Sequence, residues 1–372
     1  MLPAASHSAA EQVANVVHVV GPMRLVTRTF GYAAVARAVT TGTTTSTRQG
    51  LFLYEGGRWR DATPPVHSAG IEAVSFISRS DGWVAAFNCA EAAVYLYRTT
   101  NGGRSWESLG KPASHSCGGG PTFLSFIDAK HGWMEPVSPN GPGGELLRTS
   151  DGGRTWSRVV DVLLPRGDHD PGLRCLGPIR FVSSSTGWMG RCFDGGLFAT
   201  RDGGHRWTST TIRIPRRSHL RFDVPWFDSS AGVVAATLGS GLPTEGGTSE
   251  AVAFSVSNDG GRTWSVRSTR RTASCPLEPF FTGWWPAAVA DAQVWWLVTG
   301  RNRPTVQVTA DAGQHWRTTP ARGLPSQPCS ILSVSAASAN AAWVVARVGH
   351  GSALFRTSDG GRTWRPTVLL RR

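Results

Sequence analysis

The stretch Arg148-Thr149-Ser150-Asp151-Gly152-Gly153-Arg154-Thr155-Trp156 decides how this chain is read. It returns almost letter for letter at Arg356-Thr357-Ser358-Asp359-Gly360-Gly361-Arg362-Thr363-Trp364. Looser copies end in Trp106, Trp207, Trp264 and Trp316, and a decayed one runs Leu53-Tyr54-Glu55-Gly56-Gly57-Arg58-Trp59. With the Asp position as marker, the copies stand at Glu55, Asn101, Asp151, Asp202, Asp259, Asp311 and Asp359. The successive differences between those numbers are 46, 50, 51, 57, 52 and 48. A self-similar unit recurring at such a period marks a repeat architecture, and it takes precedence over any local assignment.

Each copy has a physical reading. Apolar residues alternate into it (Ala93, Tyr95 and Tyr97; Leu197 and Ala199; Phe254 and Val256), as in a half-buried strand. Asp-Gly or Asn-Gly follows, a strong hairpin signal because Gly accepts the positive φ that a tight turn demands. The Asp or Asn side chain can accept hydrogen bonds from the turn's own amides. Trp then opens the returning strand, where its ring packs beneath the turn. The motif is a stapled hairpin, and its first duty is structural.

The pattern S/T-x-D-x-G-x-T-W resembles the Asp-box, or BNR, repeat of β-propellers in the sialidase-like superfamily. A second element precedes it in most units: Asp81-Gly82-Trp83, His131-Gly132-Trp133 and Thr186-Gly187-Trp188, with weaker forms at Gly31-Tyr32, Gly232-Val233 and Trp343. A Gly-Trp strand paired with an Asp-box hairpin in one unit is similar to the photosystem II stability/assembly factor group of these propellers. The resemblance runs from about residue 22 to residue 370 and implies the fold strongly. Function is implied weakly, since Asp-boxes occur on enzymes, receptors and assembly factors alike.

Composition agrees with one all-β unit. The 372 residues would suggest two domains by length alone, but a propeller makes them one, because each blade buries its faces against its neighbours. The 44 Gly and 23 Pro suit many turns. Twelve of the 16 Trp fall on hairpin positions or on second strands (Trp83, Trp133, Trp188, Trp296 and Trp343), where they read as core. No apolar run approaches a membrane span.

The expected architecture is a single seven-bladed β-propeller of four-stranded antiparallel blades. Its blades lie at about 22–66, 71–112, 121–164, 176–214, 219–270, 279–320 and 328–370. Residues 1–21 are an undecided leader without the marks of a signal peptide, in which 11–20 can lie as an outer strand or short helix. In blade 1 strands are expected near 23–30, 32–38, 50–54 and 58–62, with a Thr-rich loop at 40–48. A Gly-rich loop at 239–249 explains the widest spacing. How the ring closes is left open, since many propellers lend a terminal strand from one end to the other.

This layout sorts the loops by face. Hairpin turns and the turns before the Gly-Trp strands share one rim, and inter-blade loops lie on the opposite face, where propellers usually bind ligands. All six cysteines fall on that second face. Cys89–Cys117, Cys175–Cys192 and Cys275–Cys329 are the preferred pairs among fifteen pairings. Such bridges imply an oxidising, extracytoplasmic compartment, whether periplasmic, secreted or cell-surface. No Cys or His spacing supports a metal, and the triplet Asp168-His169-Asp170 reads as a solvated loop. No cofactor is expected.

Lys plus Arg is 38 against 25 Asp plus Glu, a net charge of +13, and Lys111 and Lys130 are the only lysines. Arg58, Arg104, Arg154, Arg262 and Arg362 recur in the hairpins, spread round the rim. Denser clusters lie at Arg213, Arg216, Arg217, His219 and Arg221, between blades 4 and 5, and at Arg267, Arg270 and Arg271, entering blade 6. Both suit an acidic protein surface, an anionic glycan or a lipid headgroup. Nucleic acid is disfavoured, because no recognition motif or aromatic-interleaved stripe accompanies the charge.

Sialidase chemistry needs arginines for the substrate carboxylate, a Tyr nucleophile paired with Glu and an acid/base Asp. The four tyrosines, Tyr32, Tyr54, Tyr95 and Tyr97, all precede residue 100, whereas the family places its nucleophile late. Arg213-Ile214-Pro215 imitates the family's Arg-Ile-Pro element but follows the fourth hairpin instead of preceding the first. Of the loop acids, Glu91, Asp168, Asp170, Asp223, Glu245, Glu250 and Glu278, no spacing selects a pair. Trp284-Trp285 suits packing better than sugar stacking. With no catalytic set selected, the resemblance to the photosystem II stability/assembly factor group implies a monomeric, non-catalytic extracytoplasmic assembly scaffold that contacts a protein partner, a membrane protein included, and the basic inter-blade-loop face is the expected contact. The alternative is a carbohydrate-binding or glycoside-hydrolase propeller.

Overall fold

A computed structural model of the chain describes residues 18–41, 44–66, 70–114, 122–136, 145–159, 176–191, 196–214, 219–240, 248–276, 286–300, 303–349 and 351–367. The alternation of apolar and polar residues becomes seven antiparallel sheets, each paired in chain order. Blade 1 is His18–Thr27, Phe30–Thr41, Thr44–Glu55 and Arg58–Asp61; blade 7 is Ile331–Ala336, Ala342–Val348, Gly351–Thr357 and Arg365–Pro366. Blade 5 is the longest, with Ala231–Ser240, Thr248–Ser257 and Ser265–Pro276. The molecule is a seven-bladed β-propeller of four-stranded blades, with one short 3-10 turn at Cys89–Glu91 as the helical element among the described residues.

The structure changes several local expectations in blade 1. Its first strand begins at His18, so residues set apart as leader or outer strand open the innermost strand of the ring. Phe30 opens the second strand and does not close the first. Of the Thr-rich segment expected as a loop, residues 40–41 and 44–48 are strand. Strands two and three stay in register from Phe30↔Glu55 out to Thr41↔Thr44, because β-branched Thr suits extended backbone.

Blades hold one another through the Gly-Trp strand. Trp83 stacks on Phe126 of the next blade at 3.8 Å, Trp133 on Phe181 at 3.8 Å, and Trp188 on Phe227 at 4.1 Å. The Gly before each Trp lets that blade's own Phe lie flat on the strand: a Cβ at Gly82 would stand 2.4 Å from Phe76, and one at Gly132 would stand 2.5 Å from Phe126. The indole N–H of Trp83 donates to the Gly152 carbonyl at 2.9 Å, and that of Trp133 to Gly203 at 3.0 Å, both glycines of the following blade's hairpin.

The ring closes without a shared strand. Trp343 of blade 7 packs against Trp59 at 4.9 Å and edge-on to Tyr54 at 5.3 Å, both in blade 1. Ser335 accepts the Leu25 amide at 2.9 Å, and the Ser352 hydroxyl donates to the Val19 carbonyl at 2.8 Å. Packing and hydrogen bonds at this seam are of the same kind as at the other blade junctions.

Candidate functional site

Two ends and a central channel compete for function. At one end stand the repeat hairpins. Thr149 donates its hydroxyl to Asp151 at 2.8 Å and accepts the Gly153 amide at 2.9 Å. Asp151 accepts the Arg154 and Thr155 amides and the Thr155 hydroxyl. Gly152 and Gly153 sit at φ +79° and +95°, where a side chain would be strained. Thr99, Thr200, Ser257, Thr309 and Thr357 play the part of Thr149 for Asn101, Asp202, Asp259, Asp311 and Asp359. The Thr155 hydroxyl foremost holds the Asp151 carboxyl well below the usual range. The Glu55 copy lacks the Thr, and its carboxylate pairs with Arg60 at 3.3 Å instead.

Each hairpin also reaches back to its own blade's inner turn: Gly102 to the Ser80 carbonyl, Gly152 to Lys130, Gly203 to Ser185, Gly260 to Ser230 and Gly360 to Asn340. The hairpin turns and the inner turns therefore share one rim. An arginine from the preceding blade tightens it. Arg201 donates to the Gly260 carbonyl at 2.7 Å and Arg317 to Gly360 at 2.9 Å, while Arg98 and Arg148 lie over Trp83 and Trp133. The Thr or Ser and Asp or Asn side chains of these hairpins are hydrogen-bonded within the rim, while Arg104, Arg154 and Arg362 are exposed on it.

The opposite end carries the sequence-derived basic residues. Thr210 donates to the carbonyl of Leu197, the residue that opens the third strand of blade 4, so the chain beyond it has passed to the inter-blade-loop end. There Arg213 is exposed between Ile212 and Ile214, which pack inward. Arg221 pairs with Thr237 and His219 with Gly239 in the first strand of blade 5, His219–Phe222, at the same end. Arg271 is exposed opposite Ala251. Arg267, Arg270 and Arg271 lie in the outer strand of blade 5, Ser265–Pro276, and not in a loop entering blade 6. Arg270 is held by Gln307 at 2.7 Å and lies over Trp316 at 5.3 Å, bridging blades 5 and 6. Arg216 and Arg217 fall outside the described residues.

Cys275 and Cys329 form a disulfide with Cα atoms 5.5 Å apart, and Cys89 is also disulfide-bonded. Cys117, Cys175 and Cys192 lie outside the described residues, as do Asp168, His169, Asp170, Glu245, Glu278, Trp284 and Trp285. Of the other loop acids, Glu91 is tied to Lys111 and Tyr95, and Glu250 is exposed on a strand. No group of three metal-ligating side chains occurs among the described residues.

Sequence reasoning missed the channel. At the loop end, a cavity of about 200 Å³ contains Glu72, which accepts the amide and hydroxyl of Thr122. At the hairpin end a cavity of about 560 Å³ contains Arg24, Arg180 and Asp223. Met23, Val74, Leu124 and Ile179 line both and separate them. Burial, then the Arg24 charge, brings Arg180 down to about 9. Tyr32 donates to the Val74 carbonyl at 3.1 Å, and burial pushes its hydroxyl up, away from the phenolate a nucleophile needs. Glu135, buried at the end of the second strand of blade 3 with its Oε2 lacking a hydrogen-bond partner, is pushed well up by burial.

The signal for the channel was present in the repeat register. The residue opposite each second-strand Trp is Ser75 in blade 2, Ser125 in blade 3, Ala288 in blade 6 and Ser335 in blade 7. The same position is Arg24 opposite Tyr32, Arg180 opposite Trp188 and Trp226 opposite Val233. All seven residues line the larger cavity as one ring.

Fold and geometry together define a seven-bladed β-propeller with a hydrogen-bonded hairpin rim at one end and a channel along its axis. Solved structures similar to it include "YCF48 from Cyanidioschyzon merolae", at TM-score 0.53 and 18% identity, covering 85% of this chain and 89% of that one. "YCF48 bound to D1 peptide" is similar at TM-score 0.50 and 20% identity over 82% and 84%. An α-L-arabinofuranosidase from Fusarium graminearum is similar at TM-score 0.45 and 10% identity over 80% and 95%. No family model and no curated protein matches the sequence.

Proposed function

We propose that this propeller is a non-catalytic, extracytoplasmic binding scaffold that holds a protein partner, a membrane protein included, on its inter-blade-loop face. One observation carries the reading: strand register brings Arg213, His219, Arg221 and Arg271 to that end from two neighbouring blades, with Arg213 and Arg271 exposed. Guanidinium groups presented this way suit an acidic protein surface, through long-range attraction and bidentate pairing. Likeness in fold to a YCF48 structure bound to the D1 peptide makes peptide binding by such a ring a reasonable model. The disulfides at the loop end accord with an oxidising compartment.

The test compares the intact protein with an Arg213→Glu/Arg221→Glu/Arg271→Glu variant, both confirmed folded by near-ultraviolet tryptophan dichroism. Each is used to capture proteins from a membrane extract of the source organism. Retention of a membrane protein by the first and its loss by the second is the expected result. Identical capture by both, or hydrolysis of arabinan or xyloglucan by the intact protein, overturns the reading.

A further inference from the structure

The larger cavity lies at the opposite end of the axis from the loop face, and no part of the scaffold reading uses it. Its ring of seven equivalent positions carries two guanidinium groups, three hydroxyls, an indole and a methyl group. Arg24 and Arg180 stand on blades 1 and 4 and feel each other's charge. Asp223 is the one carboxylate among the described lining residues, so the chamber holds one cation more than anions. Arg24 is exposed and Arg180 half-buried, and each presents a fork of N–H groups that an anion can accept. Ser75, Ser125 and Ser335 each accept a backbone amide from the next blade, which leaves each hydroxyl its own proton to donate.

Side chains repeat along a strand every second residue. Two residues beyond the ring come Val26, Ile77, Ile127 and Val182, which line the same cavity nearer the hairpin rim. Val26 is 37% exposed and Val182 42%, the two exposed large apolar side chains among the described residues. An apolar collar thus surrounds the way to a cationic ring. The volume of about 560 Å³ suits a small molecule.

We propose that the hairpin-side half of the channel binds a small organic carboxylate, its head between Arg24 and Arg180 and its apolar body against the Val26, Ile77, Ile127 and Val182 collar. Binding from this side leaves the loop face free, so the ring can hold its partner and the small anion together.

The experiment is calorimetric titration of the intact protein with benzoate, repeated with inorganic phosphate at equal ionic strength. One benzoate is expected per chain. Arg24→Gln and Arg180→Gln should each weaken it by about tenfold or more, the scale of one charge-assisted hydrogen bond. Val182→Asp, on the exposed collar, should weaken benzoate without unfolding the ring. Thermal unfolding in anion-free buffer guards against misfolding: Arg24→Gln, at an exposed position, should melt with the intact protein. The Arg213→Glu/Arg221→Glu/Arg271→Glu variant should bind benzoate normally, which separates this site from the partner face. No benzoate binding, binding that survives both Gln substitutions, or phosphate binding as tight as benzoate overturns the proposal.

Discussion

The hairpin rim and the inter-blade-loop face are built from the same repeat, yet they follow opposite rules. On the rim the same atoms meet blade after blade: Thr or Ser to Asp, hairpin amide to inner-turn carbonyl, arginine over the neighbouring Trp. On the loop face a backbone contact recurs, as in Leu109 to Leu96 and Thr210 to Leu197, but the side-chain contacts of the described residues differ from blade to blade. Arg213 is exposed, Arg270 is bound to Gln307, and a disulfide joins Cys275 to Cys329. Contacts that hold a ring must recur at every junction, whereas contacts that choose a ligand need occur only once. A departure from the repeat is therefore the better guide to function, and Arg24 and Arg180 are departures of that kind in the channel.

The sharpest way to break the rim is to remove an inter-blade tryptophan. Trp133 is fully buried, stacks on Phe181 and donates to Gly203. Trp133→Ala should cost about 3–5 kcal/mol by chemical denaturation, the range for deleting a buried aromatic ring. Trp156→Ala, which removes a half-buried ring, should cost less. Equal costs would mean that the junction contributes no more than the hairpin.

On the loop face the corresponding break is the disulfide. Cys275 lies at the end of the outer strand of blade 5, and Cys329 just before blade 7, so the 54-residue loop encloses blade 6. The chain-entropy estimate for a loop of that length is about 4 kcal/mol. Cys275→Ser/Cys329→Ser should lose about 2–4 kcal/mol in thermal unfolding. Reductant should lower the melting point of the intact protein and leave that of the variant less changed. An unchanged melting point would show that the strands of blade 6 hold the segment unaided.

The fold was legible because its signal is repeated. Seven hairpins at six similar spacings leave little choice, and even the sorting of loops by face follows from strand count. Blade 1 was misread locally, since its polar Thr run resembles a loop until pairing with a second Thr run is considered. The Cys275–Cys329 pair was readable because the two residues precede the first strands of neighbouring blades, 6 and 7. The channel was not read because Arg24 and Arg180 look like ordinary strand arginines. Only cross-strand pairing with Tyr32 and Trp188 places them at the position held by serine in three other blades. Arg270 shows the reverse error of emphasis: a basic residue counted for the surface is committed to blade 6.

The smallest expected effect tests whether charge matters on the rim. At Asp359 partial burial pushes the carboxyl up, but hydrogen bonds from Thr363, Thr357 and the Arg362 amide outweigh it and bring the group from the usual 3.8 to about 2. A folded-state value below the unfolded one means stability that is present above about pH 4 and lost as pH falls through about 2. Asp359→Asn removes that titration without removing the hairpin's geometry. Blade 2 already demonstrates this, since the Asn101 side-chain oxygen accepts the Arg104 and Ser105 amides while its nitrogen donates to the Ser105 hydroxyl at 2.7 Å. The donor and acceptor simply exchange roles at the hydroxyl. The variant should therefore sit slightly below the intact protein at pH 7, and the gap should close between pH 4 and pH 2 in acid unfolding curves. A gap that persists at pH 2 would place the cost in the amide's geometry and not in the lost charge.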